Sequence, residues 1–290
     1  MARTRTGRRA GKDKTKDAKV NWVAGIIVLV IASVLTVLGW TMMRSGREIR
    51  GDAPPSAPAP ARLLGYEVVA TYPHDEEAFL QGLIWQDGGF YESTGQYGKS
   101  SLRRVEFPSG KVVKKVDLAP DLFGEGLALV GDRLIQLTWT SNRGLVYDRE
   151  TFKLVGDFSY KTEGWGLTYD GTNLIMSDGS STLTFLDPQT FKPVRQLPVR
   201  LDGRPVYNLN ELEFIEGEIW ANVWQTDNIL QIDPATGRVV SLLDLEGILK
   251  PSNRKGGEDV LNGIAYDAGQ KRIFVCGKLW PSIFEIRIKR

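Results

Sequence analysis

Proton transfer in this chain has to come from carboxylates, lysine or tyrosine. His74 is the only histidine and Cys276 the only cysteine among 290 residues. Ser-His-Asp and Cys-His machinery would both have to use that one imidazole, and a zinc cluster of the usual His/Cys kind is excluded. A lone cysteine also forms no internal disulfide. What remains is a set of polar and aromatic residues at matching places. Gln81, Glu125, Trp165, Asn210 and Asn262 each stand at or just before the start of an apolar run, and Trp139, Trp224 and Lys278 stand near the end of the run that follows. Glu125 lies between Gly124 and Gly126, a pattern that suits a closely approaching substrate and a tight bend equally well. Lys278, between Cys276-Gly277 and Leu279-Trp280, keeps unusual company for a solvated lysine.

The elements that carry these residues are five copies of one phrase. It begins Gly82-Leu83-Ile84-Trp85, Gly126-Leu127-Ala128-Leu129, Gly166-Leu167-Thr168-Tyr169, Glu211-Leu212-Glu213-Phe214 and Gly263-Ile264-Ala265-Tyr266. Each copy runs through a turn into a second apolar strand. Turns rich in Asp, Pro, Thr and Gly then join two outer strands, most cleanly over residues 229–240. A period of roughly 40–50 residues built of short alternating strands is the mark of a propeller blade. The last copy is one strand short. Residues 66–72 can supply it from the other end, which removes an exposed edge. The expected fold is therefore all-β: a five-bladed β-propeller over residues 66–290, closed by its N- and C-terminal strands. In such a fold one residue from each copy can meet at a common mouth.

The N-terminal part is different in kind. Residues 1–19 hold eight Lys or Arg against Asp13 and Asp17, and residues 23–43 carry no charge. At about 1.5 Å per residue the uncharged run makes a helix of roughly 30 Å, the thickness of a bilayer core. Trp22 and Trp40 lie near its ends, where indoles favour the interface. A signal peptide would have a shorter apolar run and a small-x-small cleavage site; here Met42-Met43-Arg44 follows directly. We expect a basic cytoplasmic tail (1–19), a single-pass transmembrane signal-anchor (20–44), a Pro-rich linker (45–65) and an extracytoplasmic domain (66–290), on the periplasmic or extracellular side. With the tail set apart, the rest of the chain is net negative, which gives no electrostatic case for nucleic acid. A monomer is expected.

The segments Phe79-Leu80-Gln81-Gly82, Phe123-Gly124-Glu125-Gly126-Leu127, Leu137-Thr138-Trp139, Glu163-Gly164-Trp165-Gly166, Asn210-Glu211-Leu212, Asn222-Val223-Trp224 and Gly277-Lys278-Leu279-Trp280 together resemble the glutamine cyclotransferases of plant and bacterial type, over essentially all of residues 66–290. The resemblance implies an acyltransferase that turns the N-terminal glutamine of a peptide or protein into pyroglutamate, releasing ammonia without a metal or other cofactor. It also implies that Glu125 is the acid–base group, that Gln81, Asn210 and Lys278 are polar pocket residues, and that Phe79, Phe123, Trp139, Trp165 and Trp224 form an aromatic wall. The chemistry is compatible. An ordinary glutamate is a weak base, but desolvation among Phe123, Trp139 and Trp165 should raise its pKa, while a charged Lys278 nearby would oppose the rise. Lys278, helped by Asn210 or Gln81, is expected to hydrogen-bond the amide oxygen as charge develops on it.

Two other functions fit the same residues. A calcium-dependent lactonase propeller would take oxygen ligands from Glu125, Asn210 and Asn262, and a membrane-anchored scaffold would use the mouth aromatics for packing alone. Several residues also have plain structural readings: Asn210 and Asn262 as turn residues, Glu92, Glu163, Glu211 and Glu213 as bystanders at the mouth, and His74 as a surface residue ahead of the first blade.

Overall fold

The computed structural model describes residues 59–289, so the expected tail, anchor and most of the linker lie outside the described residues. The described chain is all-β. β1 (Arg62–Pro73) opens it, starting upstream of the strand expected from Tyr66. β2 (Leu80–Gln86), β3 (Gly89–Thr94), β4 (Ser101–Glu106) and β5 (Lys111–Asp117) form an antiparallel sheet in that order. β6 (Gly124–Val130), β7 (Arg133–Thr138), β8 (Arg143–Asp148) and β9 (Leu154–Ser159) form a second, and β10 (Leu167–Tyr169), β11 (Leu174–Met176), β12 (Thr182–Leu186) and β13 (Pro193–Pro198) a third. A small hairpin of β14 (Arg200–Leu201) and β15 (Arg204–Pro205) follows.

The remaining strands are β16 (Leu209–Ile215), β17 (Glu218–Val223), β18 (Asn228–Ile232), β19 (Val239–Asp244), β20 (Leu261–Asp267), β21 (Arg272–Gly277) and β22 (Ser282–Lys289). With β1 they make an eight-stranded sheet in the order β16-β17-β18-β19-β1-β22-β21-β20. β1 pairs antiparallel with β22 along most of its length, so the two ends of the domain are joined. Its first residues, Arg62 to Leu64, pair parallel with Ser241 to Leu243 of β19. Among the described residues no helix is long and apolar enough to cross a membrane.

Side-chain alternation explains how the sheets stack. Leu134 and Ile135 are neighbours on β7, yet Leu134 packs with Ile84, Leu102 and Leu127, and Ile135 with Leu167, Leu174 and Leu186. Successive residues of a strand point to opposite faces, so both faces of this sheet are covered, one by each neighbouring sheet. Each fully buried Leu or Ile contributes about 1.5–3 kcal/mol relative to exposure. The aromatic group of Trp85, Phe90, Phe107 and Phe274 fills the corresponding gap between the first and last sheets, with Trp85 stacked on Phe274 at 5.0 Å.

The outer turns share one device. Asp148, Asp187 and Asp233 each bond back to a threonine three residues on: Oδ1 accepts from Thr151 N at 2.8 Å and from Thr190 N at 2.7 Å, and Asp233 Oδ2 from Thr236 Oγ1 at 2.6 Å. The next residue takes a positive φ in all three, at Phe152, Phe191 and Gly237. Asx turns of this kind fix the hairpins locally, and Phe152 and Phe191 add packing against the core.

Candidate active site

The inner strands place the site through a shared irregularity. In β2, β6, β16 and β20 the pairing with the next strand slips just after the strand begins, between Leu80 and Gly82, Gly124 and Leu127, Leu209 and Leu212, and Leu261 and Ile264. Gln81, Glu125, Asn210 and Asn262 are the first residues caught in these bulges, followed in the last three by Gly126, Glu211 and Gly263. A bulge leaves a residue out of the ladder and re-aims its side chain, so four inner strands each deliver a polar group toward one region. Glycines beside the bulges permit the approach. A Cβ on Gly82 would lie 2.6 Å from Leu127 N, and one on Gly126 would lie 2.5 Å from Leu167 N.

Three of these side chains, Asn262, Gln81 and Glu125, form a directional chain. Asn262 Nδ2 donates to Gln81 Oε1 at 3.1 Å and to Leu80 O at 3.1 Å, and Gln81 Nε2 donates to Glu125 Oε1 at 2.9 Å. Gln81, expected near the substrate's oxygen, thus orients Glu125. Asn262 sits in β20 behind Gln81, not in a turn. Glu125 is 4% exposed, and Ser93 Oγ donates to its backbone carbonyl. Burial pushes its pKa well above the usual carboxylate range; Lys278 pulls it back and Glu163 pushes it further up.

Lys278 follows β21 and is 5% exposed. Its backbone is laced on both sides, with Lys278 N donating to Val260 O at 3.0 Å and Asp259 N to Lys278 O at 3.0 Å. The chain then turns through Leu279 at φ 59°, whose N–H donates to Ala78 O at 2.8 Å. Nζ lies 4.9 Å from the centroid of Phe79. Burial lowers its pKa, against the pull of Glu125 and Asp259. Asn210 is buried and its Oδ1 has no hydrogen-bond partner.

The aromatic residues stand in two contacting groups. Phe123 meets Phe79 at 6.0 Å and Trp139 at 5.6 Å, both edge-on, and Trp165 meets Trp224 edge-on at 5.5 Å. They enclose a pocket of about 300 Å³, at the lower end of the range for small-molecule sites. Gln81, Glu125, Asn210 and Lys278 line it together with Phe79, Phe123, Trp139, Trp165 and Trp224. Gln225, Asp259 and Val260 line it too and were missed. Gln225 directly follows Trp224, a position the repeat could have flagged, whereas Asp259 and Val260 belong to the long connection before β20, which has no counterpart in the other copies. Among the described residues no three His, Cys, Asp or Glu side chains come together as a metal site.

His74 corrects the sequence reading. It is buried, not at the surface: Nδ1 is 2.7 Å from Trp280 O, Nε2 is 3.4 Å from Glu92 Oε1, and Cys276 Sγ is 3.6 Å from Nδ1. A carbonyl accepts only, so Nδ1 carries a hydrogen. Burial lowers the imidazole pKa, but Cys276 and Glu92 outweigh it and the net shift is well upward. Glu211 is buried and does not line the pocket; its two oxygens accept from Leu83 N at 3.2 Å and Ile264 N at 2.9 Å.

A family model for glutamine cyclotransferase matches residues 37–288. The chain belongs to the glutamine cyclotransferase family. The match starts upstream of residue 66, where the resemblance read from the sequence begins. Among cyclotransferases, a glutaminyl-peptide cyclotransferase of Arabidopsis thaliana is 46% identical over 235 residues, covering 79% of this chain and 73% of that protein. The crystal structure of Myxococcus xanthus glutaminyl cyclase matches with a TM-score of 0.74 at 40% identity, covering 80% of this chain and 99% of that one.

Proposed function

We propose that this cyclotransferase converts the N-terminal glutamine of peptides or proteins to pyroglutamate. The free α-amine attacks the side-chain amide carbon, the ring closes and ammonia leaves. The observation that carries this reading is a carboxylate buried beside a lysine in an aromatic pocket, in a family whose Arabidopsis member is named glutaminyl-peptide cyclotransferase. One carbon–nitrogen bond forms and another breaks, so one proton has to travel from the attacking nitrogen to the departing one. Glu125 takes it and hands it on. Its raised pKa brings it toward the range in which a proton shuttle is effective. Gln81 holds Oε1 in place, which leaves the other oxygen for the transfer.

Lys278 faces the negative charge that grows on the amide oxygen, and Asn210 lines the same pocket, where its Nδ2, not the unpartnered Oδ1, is the atom able to donate. Donors placed in this way typically contribute about a hundredfold or more to kcat. The indoles hold the glutamine stem and attract the α-ammonium before it loses its proton. A calcium ion would share the pocket with the Lys278 ammonium, which counts against the lactonase reading.

The same reading takes the domain as a five-bladed propeller. Three separate four-stranded sheets support it, as does an eight-stranded sheet joined only by the short parallel contact of β1 with β19. Inner strands β2, β6, β10, β16 and β20 also neighbour one another in a closed series. We further propose a monomer held by an anchor at residues 20–44, N-terminus in the cytoplasm and catalytic domain outside; the charge-free run and its basic flank support this.

The test is to incubate the full chain with a glutamine-initiated peptide and follow loss of one ammonia by mass spectrometry. We expect conversion that chelators leave unchanged, and a fall of at least about a hundredfold in Glu125→Gln. No conversion by the wild type would reject the activity, and full activity in Glu125→Gln would reject the shuttle.

A further inference from the structure

Glu163 does not line the pocket, yet it holds two of its walls. Its Oε2 accepts from Trp139 Nε1 at 2.7 Å and from Trp165 Nε1 at 2.9 Å. The two indoles come from different sheets, since Trp139 follows β7 and Trp165 precedes β10. Both rings are only partly buried, so packing alone does not fix them. An indole has a single N–H, and a hydrogen bond to an anion is roughly twice as strong as a neutral one; one carboxylate oxygen therefore sets the rotation of both rings. The backbone reinforces the arrangement, with Gly164 N donating to Trp139 O at 3.2 Å and Trp165 N to Ser177 O at 3.0 Å.

We propose that Glu163 is a positioning residue that locks Trp139 and Trp165 into one wall, against which the stem and α-ammonium of the substrate glutamine dock. The inference rests on the cyclotransferase reading for its substrate. An indole that donates to an anion also has a more electron-rich face, which strengthens its attraction for an ammonium. Negative charge at Glu163 acts on Glu125 as well, holding its pKa up.

Two substitutions in the full chain separate the contributions. Glu163→Ala removes the acceptor; Glu163→Gln keeps an oxygen that can accept from both indoles and removes the charge. The first measurement needs no activity. In protein labelled with 15N-tryptophan, the indole N–H signals of Trp139 and Trp165, assigned by Trp→Phe replacements, are expected to move upfield and exchange faster with solvent in Glu163→Ala. Failure of the clamp is thereby distinguishable from failure of the cyclase reading. The second measurement is steady-state kinetics. We expect KM to rise about tenfold or more in Glu163→Ala with a smaller change in kcat, and Glu163→Gln to recover most of the KM. Unmoved indole signals in Glu163→Ala would overturn the clamp. An unchanged KM there, or a loss as large in Glu163→Gln, would overturn its role in docking.

Discussion

Glu125 and Lys278 act on each other through the pocket, and the sign of that coupling can be measured. Burial raises the pKa of Glu125 and lowers that of Lys278, while each charge favours the other. Removing the lysine charge therefore leaves burial unopposed and raises Glu125 further. In Lys278→Met the acid limb of kcat/KM that belongs to Glu125 is expected to move to higher pH, apart from the limb that the substrate amine places at about 7.7–8.0. The maximal rate should fall about a hundredfold with loss of a donor to the oxyanion. A pH–rate profile whose acid limb stays put or moves down would contradict the coupling. Glu125 was legible as a residue from its Phe-Gly-Glu-Gly-Leu setting. Its pairing with Gln81, whose amide donates to it, was not, because no spacing along the chain reports which way an amide points.

At the scale of elements, the bulged inner strands are the working parts. The slip in β6 lifts Glu125 out of the ladder, and Gly126 beside it lets β10 come close. In Gly126→Ala the new Cβ would meet Leu167 N at 2.5 Å and backbone carbons of Gly166 at 2.6 and 2.8 Å. These are backbone atoms, so the strands themselves must part. We expect a loss of about 1–3 kcal/mol in chemical denaturation together with reduced kcat. Gly156→Ala on β9 is the control, since its Cβ would come no nearer than 4.0 Å to Val146 Cβ. Equal stability of the two variants would contradict the close approach. The strands and their Asp-x-x-Thr turns were readable as local patterns of alternation and turn chemistry. The bulges were not, because a slip is defined only by the partner strand.

For the molecule as a whole, the fourth copy departs from the others in a telling way. Where its fellows have glycine it has Glu211, and that carboxylate ties β16 to β2 and β20 through Leu83 N and Ile264 N. Glu213, next on the same face, accepts from Tyr266 N at 3.2 Å. Burial raises the pKa of both, helped at Glu211 by Glu213, and puts Glu213 at about 8 against an ordinary value of 4.5. A carboxyl group held neutral in the fold stabilises fully below its unfolded pKa, and the contribution is lost as pH rises through the folded value. Wild-type stability should therefore lose a contribution between about pH 4.5 and pH 8, and Glu213→Gln should flatten that part of the curve in denaturant midpoints taken across the range. An unaltered slope would show that Glu213 ionises in the fold as it does unfolded.

By itself the sequence determined the all-β class, the recurrence of the strands, the joining of the two ends through β1 and β22, and the residue types gathered in the pocket. The first three follow from periodicity and local chemistry, which neighbouring residues along a strand already express; the pocket residues were marked by the resemblance of their motifs to the family. Only the tertiary structure decided what each polar group touches. It put His74 inside against Glu92 and Trp280, made Gln81 the partner of Glu125, brought Asp259 to the pocket and set Glu163 behind two indoles. Apart from the bond of Glu163 to Trp165, two residues on, those contacts join residues well separated in the chain, and burial and hydrogen-bond direction exist only once the sheets have come together.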